Sequence, residues 1–156
     1  MKVRTDFVTN SSSSSFILGF TSKDKIEEEL LEGATSPLLK DIVLEDVLKA
    51  NQFGKDKIEQ IIRDNLHIRA GWYVEDLYQR RTGCSYSESR QYIDTDDGKK
   101  EVEQYIQNVI NSAFEKILEK EMKVFVEVYY SDNLNSKLEH EIMPYIPVNI
   151  ITFNHH

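Results

Sequence analysis

Hydrophobic and polar residues follow one another along the chain in a pattern that predicts strands near both ends. Phe16 to Phe20 is an apolar stretch of strand length that directly follows a run of five serines. Val124 to Tyr130 is β-branched and aromatic on both faces, which is typical of a strand covered on two sides. Val148 to Phe153 has a similar composition. The pattern therefore predicts one N-terminal strand and two C-terminal strands.

Between these strands, apolar residues recur at helical spacing. A short helix is predicted from Lys23 to Leu31, and Ser36-Pro37 begins the next helix with a capping hydroxyl and a proline at the first helical position. A third helix is predicted from Lys55 to Leu66, and the clearest one from about Gly98 to Met122. The segment from Ala70 to Asp97 is less regular, with a short helix suggested around Trp72 to Tyr78 and a turn predicted at Thr82 to Ser85. The middle of the chain is therefore predicted to be helical.

The last part of the chain predicts a strand–helix–strand unit. A helix is expected to begin at the capping box Ser136 to Glu139 and to end at Pro144. The 17 residues from Ser131 to Pro147 suffice for a crossover between parallel strands. We therefore expect an α+β fold in one domain, residues 1–156. Its sheet of about three to four strands combines the N-terminal strand with this unit. The helical segment of about 23–122 is inserted between them.

Composition and charge narrow the classes of partner. The chain of 156 residues has the size of one domain, and its net charge of -8 disfavours nucleic acid, whose phosphates attract a basic surface. The sequence has no apolar window of membrane-spanning length, so we expect no membrane anchor. A single cysteine, Cys84, and a polar N-terminal segment indicate the reducing cytoplasm. The expected partner is a protein or a small-molecule ligand.

Polar residues follow both predicted C-terminal strands. Carboxyl ends of parallel strands share one end of a sheet, so Asp132 and Asn133 are expected beside His155 and His156. Asp132, His155 and His156 are the candidate catalytic residues, as a histidine base with an orienting carboxylate. With His140 they are also candidate ligands of a divalent metal, the one cofactor that the sequence suggests. The alternative is a hydrophilic loop and a solvated terminus.

Glu139 and His140 are weaker candidates, in the predicted helix that leaves the same end of the sheet. The capping box already explains Glu139 at the third helical position. His140 lies away from the apolar stripe formed by Leu138 and Ile142. We therefore expect both side chains at the surface.

The serine run is a second candidate site. Successive hydroxyls could form a backbone nest for an anion, supply a nucleophile or accept a modification, and the alternative is a flexible linker. Apolar residues on both sides of the run, Phe7-Val8 and Phe16-Ile17, argue against a linker because they tie its ends to the core. The candidate ligand-binding residues are Asn133 and the run itself: Asn10, Ser11, Ser12, Ser13, Ser14 and Ser15.

Two segments of the chain look familiar. The opening Arg4 to Leu18, which contains FVTNSSSSSFI, resembles the start of a group of uncharacterised bacterial and phage proteins. Ser131-Asp132-Asn133, Leu138-Glu139-His140 and His155-His156 resemble the endings of that group. The resemblance implies no established activity. It implies that the serine run and the Asp/His cluster belong to one site, and that the terminal histidines are native. Where similar proteins often have a glycine-rich stretch, this chain has Leu134 to Lys137.

These observations leave two classes of function open. As a binding or regulatory protein, the chain would present the polar serine loop to a partner. As a small hydrolase or transferase, it would use His155 or His156 as a general base or metal ligand, with Asp132 orienting it. The sequence completes neither a metal site nor a nucleophile motif, which favours binding or regulation.

Overall fold

A computed structural model describes residues 13–34 and 36–154, and of residues 132–134 it describes only the backbone. The chain divides into two compact units. Unit 1 comprises residues 1–55 and 116–156, and unit 2 comprises residues 56–115. The expectation of a single domain, residues 1–156, stays a prediction. The α+β class is confirmed, with a three-stranded antiparallel sheet and a helical middle segment.

The described elements follow the predicted order. The strands are β1 (Ser13–Phe20), β2 (Val124–Ser131) and β3 (Asn149–Asn154). The α-helices are α1 (Ile26–Leu31), α2 (Leu44–Lys49), α3 (Ile58–Thr82), α4 (Tyr86–Tyr92), α5 (Asp96–Glu119) and α6 (Asp132–Lys137). Two π-helices, Leu39–Val43 and Leu138–Ile142, precede α2 and follow α6, and three 3₁₀-helices cover Lys23–Lys25, Lys55–Lys57 and Met143–Tyr145.

The sheet has the order β2-β1-β3, and β1 is antiparallel to both neighbours. β2 and β3 therefore run in the same direction, as the sequence predicts. They are not hydrogen-bonded to each other, however, so the expectation of a directly paired parallel unit is wrong. The physical reason lies in β1, where Phe16, Ile17 and Leu18 are fully buried. A strand that is apolar on both faces is most stable in the middle of a sheet.

The core of unit 1 lies on one face of this sheet. Phe16, Leu18 and Phe20 alternate along β1 and point to this face, together with Val126 and Val128 of β2. Each such buried side chain contributes about 1.5–3 kcal/mol relative to exposure. The helical residues that cover the face are Ile26, Leu30, Leu39, Val43, Val47, Leu138, Ile142 and Met143.

Helix α3 is longer than the sequence predicts. It continues past Leu66 through the first part of the segment expected to be irregular, from Ala70 to Thr82, and is capped by Gly83, whose φ of 73° is left-handed. No proline interrupts this stretch, and a single internal glycine, Gly71, costs a helix only about 1 kcal/mol. The turn predicted around residues 82–85 is confirmed, because Ser85 caps α4 in a capping box with Glu88.

The segment between β2 and β3 departs from the prediction. Asp132 begins α6 directly after β2, and a π-helix follows from Leu138. The predicted capping box at Ser136 is wrong: Glu139 turns inward, and Asn135 Oδ1 accepts a hydrogen bond from the Leu138 N–H at 3.4 Å. Asn135 itself has non-helical φ and ψ of -161° and 76° and forms a kink within α6. The residue that caps the helical turn leading into Leu138 is therefore Asn135, one position before the predicted Ser136.

Tyr130 ties the end of β2 to α2. Its hydroxyl donates to Asp46 Oδ2 at 2.7 Å, and its ring packs against Phe16 with centroids 6.2 Å apart. Burial, and then the hydrogen bond and negative charge of Asp46, raise the pKa of the Tyr130 phenol. The phenol therefore stays protonated in the folded protein at a pH where an unfolded tyrosine ionises, above about 10.

Replacing Tyr130 by phenylalanine is expected to lower the free energy of unfolding by about 1 kcal/mol, through loss of this hydrogen bond. The raised pKa means that the folded state holds the phenol proton more tightly than the unfolded state does. The contribution of the protonated Tyr130 phenol to the free energy of unfolding is therefore fully present below about pH 10 and is lost as the pH rises further. Urea unfolding at about pH 9 and about pH 11 should therefore show a smaller loss of stability in Tyr130→Phe than in the wild type. Tyr145→Phe, at a 78% exposed position, is the control and should match the wild type at both pH values. If Tyr130→Phe and Tyr145→Phe lost the same free energy of unfolding between these two pH values, the prediction would be contradicted.

Candidate functional site

The strand register brings three strand ends together at one end of the sheet. Ser13 lies opposite Ser131, the last residue of β2, and Ser14 lies opposite Asn154, the last residue of β3. The start of β1 and the ends of β2 and β3 therefore meet. We call this the polar end of the sheet, comprising Ser13, Ser14, Ser131, Asn154, Glu139 and His140.

Ser14 is the centre of the polar end. It points to the core face, two positions before Phe16, and is only 1% exposed. Its Oγ lies 2.8 Å from Glu139 Oε2 and 2.8 Å from Asn154 Oδ1. A hydroxyl carries one proton, so it donates to one of these oxygens at a time. Ser14 thus links β1 both to β3 and to the π-helix Leu138–Ile142.

Glu139 is a carboxyl group buried at the end of the core. Its side chain is 0% exposed. It lies beside two hydrophobic core residues, Leu138 and Ile142. Burial of a carboxyl group is costly unless it is hydrogen-bonded or paired. Ser14 supplies a hydrogen bond, and His140 Nε2 lies 3.3 Å from the other oxygen, Oε1. The buried carboxyl group therefore joins a buried hydroxyl to an imidazole.

His140 is the exposed member of the group. Its side chain is 47% exposed, whereas the Glu139 side chain next to it is fully buried. A carboxyl group that contacts an imidazole can fix the tautomer and the orientation of the ring. Within the polar end, His140 and Asn154 are thus the polar side chains that a ligand reaches most directly.

The serines of the predicted loop divide into two sets. Ser13, Ser14 and Ser15 belong to β1, so the expectation of a loop is wrong for these three residues. Backbone pairing with Ser131 and Phe153 extends the strand beyond the apolar stretch. Ser14 and Ser15 are buried, and Ser13 is half-buried. The predicted ligand-binding residues Asn10, Ser11 and Ser12 lie outside the described residues.

The predicted catalytic and metal-binding residues are described only in part. Asp132 and Asn133 form the first turn of α6, directly after the polar end, but the description there covers the backbone alone. His155 and His156 lie outside the described residues. Of the predicted metal ligands, only the His140 side chain is described, and its contact is with Glu139. The catalytic and metal assignments stay predictions.

Within the described part of the chain, no three His, Cys, Asp or Glu side chains converge in a way that could hold a metal ion. A metal at the polar end would therefore need ligands from the side chains of Asp132, His155 or His156. Glu139 and His140 supply one carboxylate and one imidazole to such a set, and imidazole with carboxylate suits divalent transition metals.

The expectation that the Glu139 side chain lies at the surface is wrong, because the residue is buried, and Asn154 was not among the candidate site residues. A signal for Glu139 was present, because Leu138, Ile142 and Met143 are apolar at helical spacing and Glu139 falls within the same inward face. A carboxyl group in an apolar stripe indicates a buried partner. Asn154 gave no comparable signal, since its role depends on the pairing of β3 with β1.

Comparisons with known proteins add no relative: no family model, curated protein or solved structure matches the chain. Among the residues that the structure describes, no helix is long and apolar enough to cross a membrane.

Proposed function

We propose that the protein is a cytoplasmic binding or regulatory protein whose partner, a protein or a small molecule, contacts the polar end of the sheet and the serine run that leads into it. The observation that carries this proposal is the buried hydrogen bond of 2.8 Å between Ser14 and Glu139. This hydrogen bond holds the start of β1 against the π-helix Leu138–Ile142. The serines that precede Ser13 in the sequence are therefore attached to a fixed part of the structure.

Burial favours binding over catalysis by this serine. Ser14 is 1% exposed and Glu139 is 2% exposed, so a substrate has no direct access to the pair. A nucleophile must reach the reacting atom, whereas an anchor must only hold its neighbours in place. Ser14 and Glu139 therefore suit a supporting role behind the exposed groups of the site.

Chain connectivity supports a single site at this end. Ser12 precedes Ser13, Asp132 follows Ser131 and His155 follows Asn154 in the sequence. Consecutive Cα atoms are only about 3.8 Å apart, so each of these residues starts within one step of the polar end. We also propose that the chain is related to the bacterial and phage proteins that share its FVTNSSSSSFI motif, for which one common site is implied.

A small hydrolase or transferase is the second candidate, and the Glu139–His140 contact of 3.3 Å favours it. A buried carboxylate beside a half-exposed imidazole is an arrangement that orients a general base. In this alternative His155, His156 and Asp132 complete the site, either as further acid–base groups or as ligands of a divalent metal.

Photocrosslinking in bacterial cells tests the binding proposal. A photoreactive amino acid at Ser13, in the polar end, is expected to form a discrete adduct with a protein or small molecule. The same residue at Ser112, an exposed serine of unit 2, is the matched control and should not form that adduct. The added substitution His140→Ala should weaken the adduct at position 13. Identical adducts at both positions, or none at position 13, would contradict the proposal.

Metal analysis of untagged protein separates the two candidates. The enzyme alternative requires bound metal or a metal-induced thermal shift that disappears in Asp132→Ala and His155→Ala while the fold is retained. The binding proposal requires neither.

A further inference from the structure

The two outer edges of the sheet differ in what covers them. On β2, Phe125 exchanges both backbone hydrogen bonds with Phe53, at 2.9 and 3.0 Å. The backbone groups of Phe125 therefore point away from β1. Because hydrogen-bonding direction alternates along a strand, those of Glu127 point to the same outer edge. The outer edge of β2 is thus bridged by Phe53 at Phe125, and the next residue whose backbone groups point to this edge is the charged Glu127.

The same alternation defines the outer edge of β3. Gly19, opposite Phe125, donates its N–H away from β2 to Val148 O at 2.9 Å. Odd-numbered residues of β1 therefore face β3, and Ser15 lies opposite Phe153. Phe153 directs its backbone groups towards β1, so Thr152 and Asn154 direct theirs outward. Among residues 13–34 and 36–154, none forms a backbone bridge to this edge.

The sequence of β3 lacks the charges and prolines that often protect an exposed edge. Such edges are usually guarded by charges, proline or coverage by another element. Asn149 to Asn154 contains no charged residue and no proline, and Ile150, Ile151, Thr152 and Phe153 all have high strand propensity. The irregularity in its pairing with β1 lies near Leu18, away from Thr152 and Asn154. This edge is suited to pair with another strand.

We propose that the protein forms a symmetric dimer in which β3 pairs antiparallel with β3 of a second copy, joining two three-stranded sheets into one. A strand without charges meets no like-charge repulsion when it faces itself, and twofold symmetry makes one edge sufficient for both partners. Thr152 of one copy faces Asn154 of the other, so each copy contributes two N–H donors and two carbonyl acceptors. This dimer goes beyond the binding site proposed above: it shares Asn154 with the polar end but uses only the backbone groups of that residue.

Matched proline substitutions on the two edges test the dimer. Thr152→Pro removes an outward N–H without removing a hydrogen bond to β1, and Glu127→Pro does the same on the outer edge of β2. Sedimentation equilibrium of the wild type from about 1 µM to about 1 mM should show a monomer–dimer equilibrium. Thr152→Pro should weaken the dimer about 100-fold, since two donors are lost per dimer, and Glu127→Pro should leave it unchanged. Circular dichroism establishes that both variants are folded.

Amide hydrogen exchange of the wild type provides a readout that does not depend on any variant. Protection of the Thr152 and Asn154 amides is expected to increase with protein concentration, in step with the dimer fraction. A monomer at every concentration, or a dimer that survives in folded Thr152→Pro, would overturn the proposal. Protection of these amides that is independent of concentration would also overturn it, because the edge would then be paired within one chain.

Discussion

Replacing Gly98 by alanine is expected to destabilise unit 2 by about 3 kcal/mol, a large effect for one methyl group. A Cβ at this position would lie 2.0 Å from the Tyr92 carbonyl oxygen and 2.7 Å from Ile93 Cα. Both are backbone atoms of the turn between α4 and α5. The turn is held by a hydrogen bond from Thr95 N to Tyr92 O at 3.0 Å and by another from Gly98 N to Thr95 Oγ1 at 3.1 Å. The clash can be relieved only by moving this bonded backbone.

Gly71 is the matched control, because it is a helical glycine of the same unit. A Cβ there meets only Ile93 Cδ1, at an ordinary contact distance of 3.6 Å. Gly71→Ala should therefore leave stability unchanged or raise it by up to about 1 kcal/mol, through the higher helix propensity of alanine. Trp72, the single tryptophan, lies in α3, so its fluorescence during urea unfolding reports on unit 2. Equal midpoints for Gly98→Ala and the wild type would refute the predicted clash.

Removing either partner of the buried contact between Ser14 and Glu139 should destabilise unit 1 strongly. Ser14→Ala is expected to cost about 2 kcal/mol, because a buried carboxyl group loses a hydrogen bond. Glu139→Leu should cost a similar amount, about 2 kcal/mol, by leaving the Ser14 hydroxyl and the His140 imidazole without this partner. The double variant Ser14→Ala/Glu139→Leu should be more stable than the sum of the two costs predicts, by about 1 kcal/mol or more.

Amide hydrogen exchange of the β1 residues measures these free energies at the site itself. Ser112→Ala, at an exposed position of unit 2, is the control and should stay within about 0.5 kcal/mol of the wild type. Strictly additive costs in the double variant would show that the two side chains are not energetically coupled. The site would then lose the anchor on which the proposed function depends.

The common end of β2 and β3 was predictable from sequence, but the strand between them was not. The chain length from Ser131 to Pro147 allows two strands to run in the same direction, and they do. Whether they pair directly depends on which strand is buried on both sides, and β1 takes that place. As a result the serines of β1 lie at the same end of the sheet as Ser131 and Asn154.

The sequence by itself determined the α+β class, the location of the three strands and the helical middle, because periodicity and backbone preference are local properties. Only the tertiary structure decided the strand order, the extension of β1 into the serines and the burial of Glu139. These depend on contacts between distant segments, such as the pair Ser14 and Glu139, which are 125 residues apart. Whether a polar side chain is exposed or buried is set by the partner that it meets, and local sequence does not name that partner.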